Sequence, residues 1–273
     1  MPALDFEGRS IPVRDGDTVA SALFRAGVRT FSRSFKFHRP RGLYCCTGDC
    51  PNCLVTVNDE PAVRACVHEA ADGQRVTRGS GWPSADHDAL HVMWWMRALL
   101  PVGFYYKLFA KPLWTWPVAE RVIRKIAGIG PVPRGLPQDA RERLYHHPDV
   151  LVIGGGPAGL SAAITAAEDG ASVLLADEGR IGAAIASGPV RSEVDSLRAA
   201  AQANERITIL QHAAAIGIYD GALTPITAPD CLHIASPGRV IVATGAVELH
   251  AVFPGSDLPG VWLGRGAARM AGV

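Results

Sequence analysis

The sequence lacks an excess of either charge. Its 273 residues include 27 Lys and Arg against 26 Asp and Glu, which gives a formal net charge of +1. Nothing in this balance favours a nucleic acid or an anionic membrane surface as partner. With 48% apolar and 19% charged residues the composition is that of a globular chain rather than a disordered one. The length predicts two domains, each large enough for a hydrophobic core.

Long apolar runs are also scarce. The opening residues Met1–Asp5 contain no apolar core of a signal peptide, so we expect none, and reduced thiols then predict a cytoplasmic protein. The most apolar stretch, residues 91–110, is interrupted by Arg97, Pro101 and Lys107, whereas a membrane span needs about 20 predominantly apolar residues. We therefore predict one or two helices whose aromatic faces pack between domains. Three prolines mark the predicted breaks in this region: Pro101, Pro112 and Pro117.

Cysteine is sparse and unevenly placed. Five of the six cysteines lie between Cys45 and Cys66, and only Cys231 stands apart. Counted from Cys45, the spacing is C-x4-C-x2-C with one more cysteine downstream, the plant-type [2Fe–2S] pattern. Gly48 stands where such a loop must bend sharply, and Cys46, which is off the pattern, is interpreted as a bystander. The pattern predicts four iron ligands: Cys45, Cys50, Cys53 and Cys66.

Other interpretations of the cysteines remain open. A structural zinc site also uses four thiolates, but usually as two C-x2-C pairs, and only one such pair is present here. A disulfide framework is not expected in a long chain without a secretory signal. Cys50 and Cys53 alone could form a redox pair, although their neighbours Cys45 and Cys66 favour cluster ligation.

The segments around these cysteines have the order of a β-grasp ferredoxin. Residues 3–14 predict two short strands with a turn at Gly8, and residues 15–18 predict a turn and helix N-cap. A helix over residues 19–26 ends at Gly27. After the cysteines, Leu54–Val57 and Ala62–Ala65 predict two strands joined by residues 58–61, and the second presents Cys66 at its end.

A glycine-rich motif opens the second half of the chain. The apolar strand Asp149–Ile153 leads into Gly154-Gly155-Gly156-Pro157-Ala158-Gly159, and an Ala-rich helix follows over residues 160–168. A second strand over residues 171–176 ends at an acidic residue, Asp177, eighteen positions after the last glycine of the motif. This context predicts a dinucleotide site, with phosphates at the helix N-terminus.

Each motif residue has an expected role. Gly154 allows the tight turn, Gly156 lets the pyrophosphate approach the backbone, and Gly159 lets the helix and strand pack closely. Asp177 is the predicted ribose contact, with Glu178 as the alternative. The motif alone does not separate FAD from NAD. The predicted binding residues in this motif and its acidic partner are Gly154, Gly156, Pro157, Ala158, Gly159, Asp177 and Glu178.

Several segments resemble one protein family. Arg33–Gly42 reads Arg-Ser-Phe-Lys-Phe-His-Arg-Pro-Arg-Gly; Pro101–Lys107 and Ile123–Gly130 lie in the middle of the chain, and Arg239–Gly245 is an apolar strand ending in Thr-Gly. Arg239–Gly245 resembles the second flavin motif of two-dinucleotide-domain flavoproteins, which favours FAD. The other three segments are similar to the N-terminal part of the α subunit of heterotetrameric sarcosine oxidase. They also resemble related FAD/[2Fe–2S] amine or amino-acid dehydrogenases such as hydrogen cyanide synthase.

The resemblance implies a fold and a function. It implies a β-grasp [2Fe–2S] ferredoxin-like domain (1–82), a helical linker (83–147) and a truncated Rossmann-type FAD-binding domain (148–273), in which Thr244 and Gly245 approach the flavin. It implies an oxidoreductase acting on CH–NH or CH–NH2 donors. A partner subunit would oxidise the substrate, a small amine or amino acid, and this subunit would relay electrons to an acceptor.

The sequence departs from the family in three places. Gly182-Ala183-Ala184-Ile185 replaces an expected pair of glycines, and Gly264–Arg269 has a GxG without a preceding strand, so we discount it as a nucleotide motif. The family continues beyond Val273 into a second nucleotide-binding domain. We therefore interpret the chain as a truncated product, a fragment or a split subunit.

Alternatives to this function stay open. The chain could be a non-enzymatic electron carrier with a vestigial flavin half, or an NAD(P)H-dependent flavin reductase. The basic segment Arg33–Gly42 is either a collar that stabilises an anionic cluster and docks a partner, or a solvated loop. No catalytic residue is predicted, and four histidines near the motifs are given no catalytic role: His38, His68, His146 and His147.

Overall fold

The computed structural model describes residues 2–103, 113–128, 142–183 and 190–271. Contacts along the chain divide it into two compact units. The first contains Met1–Arg134 together with Glu248–Val273, and the second contains Gly135–Val247. The two units are considered separately below.

The first unit contains a five-stranded sheet with the order β2-β1-β7-β5-β6 and a two-stranded ladder, β3-β4. The sheet pairs are antiparallel except for β1 and β7, which are parallel. The predicted order of strand, strand, helix, cysteine loop and hairpin is confirmed, and with it the β-grasp class. The strands are β1 (Ala3–Phe6), β2 (Arg9–Pro12), β3 (Ser32–Arg33), β4 (Pro40–Arg41), β5 (Leu54–Val57), β6 (Glu60–Arg64) and β7 (Arg75–Thr77).

Helix α1 (Val19–Arg25) crosses this sheet and buries its apolar face. It begins at Thr18, whose side chain accepts a hydrogen bond from the Ser21 amide while the Ser21 hydroxyl accepts one from the Thr18 amide. This reciprocal cap satisfies two backbone donors that would otherwise lack partners. Gly27, with φ of 91°, follows the helix end as predicted. The core below the helix is formed by fully buried apolar side chains, among them Leu4, Leu23, Phe31 and Val55.

The hairpin β5–β6 turns more tightly than the sequence predicted. Asn58 and Asp59 have φ of 47° and 72°, as in a two-residue turn that matches the twist of the strands. The second strand therefore begins at Glu60 rather than Ala62. Pro61 is tolerated within it because β6 is an edge strand of the sheet.

The middle of the chain forms short helical pieces. Three 3-10 helices are Ala89–Trp94, Arg97–Leu99 and Leu113–Thr115, and helix α2 covers Trp116–Ala127. The predicted break at Pro117 is wrong, because this proline lies in the first turn of α2, where a missing N–H costs nothing. The predicted break at Pro112 and most of the stretch Pro101–Lys107 lie outside the described residues. Within the described ranges, no helix is long and apolar enough to cross a membrane.

The second unit combines two four-stranded sheets. The parallel sheet has the order β11-β10-β9-β15, and the other has the order β12-β13-β14-β8. This confirms the predicted Rossmann-type half, whereas β8 was not predicted. The strands are β8 (Glu142–His146), β9 (Val150–Ile153), β10 (Val173–Ala176), β11 (Ile207–Leu210), β12 (Ala214–Ala215), β13 (Thr224–Thr227), β14 (Cys231–Ala235) and β15 (Arg239–Val242). The helices are α3 (Pro157–Glu168) and α4 (Arg191–Ala203), with a 3-10 turn at Asp220–Ala222.

The C-terminal segment, residues 248–271, ends in helix α5 (Gly264–Met270) and belongs by its contacts to the first unit. The first unit also takes in the middle of the chain as far as Arg134. This division follows spatial contacts and differs from the domain boundaries predicted at residues 82 and 147, which stay a prediction. Its physical basis is a set of hydrogen bonds between the C-terminal segment and the cysteine region, described below.

Asp17 generates a prediction about stability and pH. Its carboxylate accepts hydrogen bonds from Arg14 N (2.8 Å), Ser21 Oγ (2.7 Å) and Arg25 Nη1 (3.0 Å). Burial raises the pKa of Asp17, but these bonds outweigh it and lower the pKa from 3.8 to about 2. A lowered carboxyl pKa stabilises the folded state above the unfolded pKa, and this stabilisation is lost as pH falls through the folded pKa.

Asp17→Asn is expected to lower the free energy of unfolding by roughly 2 kcal/mol at pH 7. The difference from wild type should shrink as pH falls from about 4 to 2, because wild-type Asp17 is then protonated. Urea unfolding across this pH range measures both. Asp15→Asn, at an exposed neighbouring carboxylate, is the matched control and should leave stability nearly unchanged. An equal loss at every pH would contradict the assignment to the Asp17 charge.

Candidate functional site

The cysteine loop, Cys45–Cys53, is shaped by two residues with positive φ. Gly48 has φ of 85° and Cys46 has φ of 53°, so the chain reverses sharply between the first two predicted ligands. Cys53 directly precedes β5, and Cys66 follows β6 by two residues. The Ala65 amide donates to the Cys53 carbonyl at 3.1 Å, which extends the hairpin to the level of both cysteines. The hairpin thereby brings Cys66 to the loop.

The thiols of the four predicted ligands form one connected set. Cys45 interacts with Cys50 and Cys66, and Cys66 also interacts with Cys53. Hydrogen bonds from Cys50 and Cys66 lower the pKa of Cys45, and one from Cys66 lowers the pKa of Cys53. The pKa values of Cys50 and Cys66 rise because their thiols donate these bonds. Since thiolates are the metal-binding form, metal binding here would displace the shared protons.

Four thiols in one connected set match in number the ligands of a [2Fe–2S] cluster, which shares four cysteines between two irons. Across the ranges that the structure describes, no group of three His, Cys, Asp or Glu side chains is placed to hold a single metal ion. All six cysteines of the chain are free of disulfide bonds. The Thr47 amide also donates to Cys45 Sγ at 3.5 Å, a bond of the kind that tunes cluster potentials.

Cys46 is separate from this thiol set. Its side chain is buried, and burial, followed by the nearby charges of Cys45 and Cys53, raises the pKa of Cys46 to about 12. Its carbonyl accepts a hydrogen bond from Arg269 Nη1 at 2.7 Å. Cys46 is therefore held as a neutral thiol with its backbone anchored, consistent with the predicted bystander.

The basic segment Arg33–Gly42 is not a freely solvated loop. Arg33 is nearly buried, with Nε donating to the Ala85 carbonyl at 2.7 Å and Nη1 to the His38 carbonyl at 3.0 Å. His38 is fully buried and its Nδ1 lies 2.8 Å from Asp88 Oδ2. These contacts give Arg33 and His38 a structural role in the β3–β4 turn.

One cation of this segment does reach the cysteine loop. Arg41 Nη1 donates to Asn52 Oδ1 at 3.1 Å. Burial lowers the pKa of Arg41, while the charges of Asp257 and Cys50 oppose that effect. Arg41 therefore supports the loop directly and supplies positive charge beside Cys50.

The C-terminal helix α5 covers the cysteine loop from the other direction. At Gly266, an added Cβ would lie 2.4 Å from the Tyr44 carbonyl oxygen and 3.1 Å from that of Cys45. The Glu248 carboxylate caps the helix by accepting from the amides of Gly264 (2.9 Å) and Arg265 (3.0 Å). The GxG here thus serves close packing on the loop, in keeping with its rejection as a nucleotide motif. Sequence reasoning missed this role because nothing local signals the distant contact.

The glycine-rich loop, Gly154–Gly159, lies at the carboxyl end of β9. Gly154 has φ of 106°, and an added Cβ would lie 2.4 Å from the Ala243 carbonyl oxygen. At Gly159, an added Cβ would lie 1.8 Å from the Gly154 carbonyl oxygen. At Gly156, it would meet nothing within 4 Å. Gly154 therefore lies in a tight turn and Gly159 allows close helix packing, whereas the approach of a phosphate to the open space at Gly156 stays a prediction.

The N-terminus of α3 faces the same space. Gly156 is its N-cap, no side chain caps the first turn, and Pro157 lacks an N–H. Ala158 is exposed and Gly159 is buried. The uncapped first turn and its helix dipole form the kind of surface that binds phosphate oxygens.

Asp177 is linked to the glycine-rich loop. Its Oδ2 accepts from the Gly155 amide at 2.6 Å and its Oδ1 from the Gly179 amide at 2.7 Å. A carboxylate retains further lone pairs for ribose hydroxyls. Glu178, at the next position, is exposed. Of the two candidates, the structure brings Asp177 to the loop and not Glu178.

Thr244 and Gly245 reach the same edge from the neighbouring strand. Because β15 pairs in parallel with β9, with Val242 opposite Ile153, both strands end side by side. The chain order reverses between these two strands, and such a switch point is where ligands bind in open α/β sheets. Gly245 has φ of 77° and open space around its Cα. The structure therefore brings the predicted residues from three strand ends together.

Two further contacts at this edge were missed by sequence reasoning. Ala243 contributes the carbonyl against which Gly154 packs, and at Gly155 an added Cβ would lie 2.5 Å from Ile181 Cγ2. The only local sign of the contact between Gly155 and Ile181 in the sequence is that Gly155 is one of three consecutive glycines. The segment Gly182–Ile185, where the sequence departs from the family pattern, lies partly outside the described residues. Within it, the Gly182 amide donates to the Gly155 carbonyl at 2.8 Å.

A pair of glycine variants separates ligand binding from folding. We expect Gly156→Ala to weaken FAD binding by at least about tenfold, or 1.4 kcal/mol, because its methyl group enters the predicted phosphate space. The unfolding midpoint of the flavin-free protein should not change. Gly159→Ala should lower that midpoint as well, because its methyl group overlaps the backbone and costs about 1–3 kcal/mol in the free energy of unfolding. Flavin titration and thermal unfolding measure these effects, and wild-type flavin affinity in Gly156→Ala would contradict the predicted site.

Gly266 generates a prediction about the first unit. Gly266→Ala should push α5 away from the cysteine loop and shorten the half-time of iron release to a chelator several-fold, with a loss of about 1–3 kcal/mol in stability. Ala267→Ser, at an exposed position of the same helix, is the matched control. If both variants release iron at the wild-type rate, helix α5 does not support the loop.

Comparisons with known families match both halves of the chain. Residues 3–81 match the family described as a 2Fe-2S iron-sulfur cluster binding domain. Residues 148–268 match the pyridine nucleotide-disulphide oxidoreductase family. Among solved structures, L-proline dehydrogenase from P. horikoshii superposes with a TM-score of 0.65 at 22% identity, covering 98% of this chain and 45% of that one. This likeness confirms the predicted fold class.

Curated relatives align over nearly the whole chain. The sarcosine oxidase subunit alpha of Rhizobium meliloti (strain 1021) is 36% identical over 97% of this chain, and that of Corynebacterium sp. (strain P-1) is 30% identical over 97%. The chain spans 29% and 26% of their respective lengths. The predicted cofactors, a [2Fe–2S] cluster and FAD, are confirmed by these matches. The chain is therefore homologous to the N-terminal part of sarcosine oxidase α subunits, FAD- and [2Fe–2S]-containing oxidoreductases.

Proposed function

We propose that this chain is the electron-relaying part of an amine or amino-acid oxidoreductase. In this proposal electrons pass between a substrate-oxidising partner subunit and an acceptor through FAD and the [2Fe–2S] cluster. The observation that carries it is that one chain combines a connected set of four thiols with an open glycine-rich turn at a switch point. The relatives are named as subunits, which supports a hetero-oligomer.

In the first unit, the proposed iron ligands are Cys45, Cys50, Cys53 and Cys66. Around them, the Thr47 amide and the Arg41 guanidinium lie where they would stabilise negative charge on the sulfur atoms. Three of the four cysteines are buried, and Cys50 is partly exposed. This limits water access while leaving one side through which a redox partner could approach.

In the second unit, we propose that Gly156 and the first turn of α3 bind the FAD pyrophosphate. Asp177 would accept hydrogen bonds from the ribose, while Thr244 and Gly245 would pass close to the flavin. Pro157, Ala158 and Gly159 complete the turn. When bound, FAD takes up two electrons as a hydride equivalent and the cluster passes electrons singly.

The proposed substrate class is a small amine or amino acid with a CH–NH or CH–NH2 group. Sarcosine oxidase and L-proline dehydrogenase are both named for amino-acid substrates. A partner chain would supply the oxidation site in this proposal. The cytoplasmic location stays a prediction from the reduced cysteines.

Cofactor analysis of anaerobically purified protein tests the proposal. Two irons, two sulfides and one FAD per chain are expected, with visible absorption that bleaches on reduction. Zinc in place of iron would contradict the cluster. Iron without FAD would indicate a ferredoxin-like carrier, and reduction of bound flavin by NADH alone would indicate a reductase.

Serine variants test the ligand set. Cys66→Ser should lower the iron content from two per chain to less than about half of that value and abolish the native visible spectrum, because one iron loses a thiolate. Cys46→Ser is the matched control, since this buried cysteine belongs to the same loop but lies outside the connected thiol set. It should retain iron and its spectrum. Iron loss in Cys46→Ser together with retention in Cys50→Ser would show that the ligand register is wrong.

A further inference from the structure

A second thiol site lies in the second unit, on the sheet formed by β12, β13, β14 and β8. Cys231 and His233 alternate along β14, so their side chains share one face of the strand. Cys231 Sγ lies 3.2 Å from His233 Nε2, and His233 Nδ1 lies 2.9 Å from His146 Nε2 on the adjacent strand β8. His233 is buried, whereas Cys231 and His146 are partly exposed. The three side chains form a line of thiol, imidazole and imidazole.

The hydrogen bonds define what each ring can do. If His233 Nδ1–H donates to His146 Nε2, then His233 Nε2 is a free acceptor facing the thiol. Burial, followed by the charge of His146, lowers the pKa of His233. A neutral ring with its acceptor nitrogen on the thiol is the state that a general base requires.

This geometry differs from that of a metal site. The sulfur and the His146 nitrogen contact opposite nitrogens of the His233 ring, so the three side chains do not converge on one point. It matches instead the arrangement of a nucleophile, a base within hydrogen-bond reach and a third group that orients the base. Glu142 stands opposite Cys231 in the strand register and is exposed. The negative charge of Glu142 would disfavour a thiolate at Cys231. We therefore assign the activation of Cys231 to His233.

We propose that Cys231 is a reactive thiol, activated by His233 and positioned through His146, that exchanges with low-molecular-weight disulfides. In this step the thiol proton passes to His233 Nε2 as the sulfur attacks one sulfur of the disulfide. A new S–S bond forms as the old one breaks, and the leaving thiolate takes the proton from His233. The disulfide is the only oxidant required, and Cys231 ends as a mixed disulfide.

The size of the effect is limited by ordinary thiol chemistry. An unactivated cysteine is a few per cent thiolate at pH 7, so complete activation can raise its exchange rate by about thirtyfold. If Cys231 only serves as a hydrogen-bond partner for the buried His233 ring, its rate of disulfide exchange will be that of an ordinary thiol. That rate will then not depend on His233. The two explanations therefore differ in a measurable rate.

The experiment uses the full chain and glutathione disulfide as the probe, at pH 7. After acid quenching and tryptic digestion, mass spectrometry measures the glutathione adduct on the peptide Ile207–Arg239, which contains Cys231 as its only cysteine. Adducts on the cysteine loop fall in other peptides. Reversal by dithiothreitol identifies the product as a disulfide.

We expect His233→Asn to slow the adduct formation about tenfold, and His146→Gln to slow it about threefold. His212→Asn is the matched control, because His212 is an exposed histidine of the same unit whose φ of 53° suits asparagine. It should react at the wild-type rate. Added imidazole should restore part of the rate in His233→Ala.

Equal rates in wild type and His233→Asn, or no adduct on wild-type Cys231, would overturn the proposal. Thermal unfolding of each variant shows whether its fold is retained. If His233→Asn does not unfold cooperatively, the His146→Gln variant tests the proposal, because His146 is partly exposed. A wild-type rate in His146→Gln then overturns the proposal, and a slower rate with an unchanged unfolding midpoint supports it.

Discussion

Four sulfur atoms from two separate segments must meet in a buried space, and much of the first unit serves this constraint. The cysteine loop reaches it by reversing at Cys46 and Gly48, both with positive φ. Cys66 reaches it because the tight hairpin β5–β6 returns the chain to the level of Cys53. The mutual effects of these thiols on their pKa values show that they lie close together. Because thiolates are the metal-binding form, metal binding at this set is coupled to proton release.

The support around this loop comes from segments far apart in the chain. Arg41 contacts Asn52 from the β3–β4 turn, and Arg269 contacts the Cys46 carbonyl from helix α5. Both are cations that donate to the loop, Arg41 to a side-chain oxygen and Arg269 to a backbone carbonyl. They position the loop and also place positive charge near an anionic site. One side chain thus provides both geometry and electrostatics, and a neutral replacement would lose both together.

In the second unit, the candidate site depends on backbone segments that approach one another closely. Parallel pairing puts the ends of β9 and β15 side by side, and Gly154 packs its Cα against the Ala243 carbonyl. Any side chain at this position would separate the two strand ends. The hydrogen bond from the Gly155 amide to Asp177 connects the glycine-rich loop to the end of a third strand, β10. These contacts fix the turn that contains Gly156, where an added Cβ would meet nothing within 4 Å.

Much of both candidate sites could be predicted because their signals are local. The cysteine spacing and the strand–glycine–helix order each lie within a short stretch, and the cap at Thr18 needs only its neighbours. The errors arose where tertiary context decides. The second strand of the hairpin began at Glu60 because the turn needed only two residues, and Pro117 lay in the first turn of a helix instead of breaking one. Strand β8 was missed because its pairing partner, β14, lies far along the chain.

The two GxG sequences show why spacing alone is insufficient. Gly154 and Gly156 follow a buried parallel strand, so the loop between them lies at a sheet edge and Gly156 faces open space. Gly264 and Gly266 follow the extended residue Leu263 without a strand, and Gly266 faces the Tyr44 carbonyl. In the first case the missing side chain leaves room for a ligand, and in the second it leaves room for the protein's own backbone. A glycine pattern therefore indicates close approach, and only the preceding element indicates what approaches.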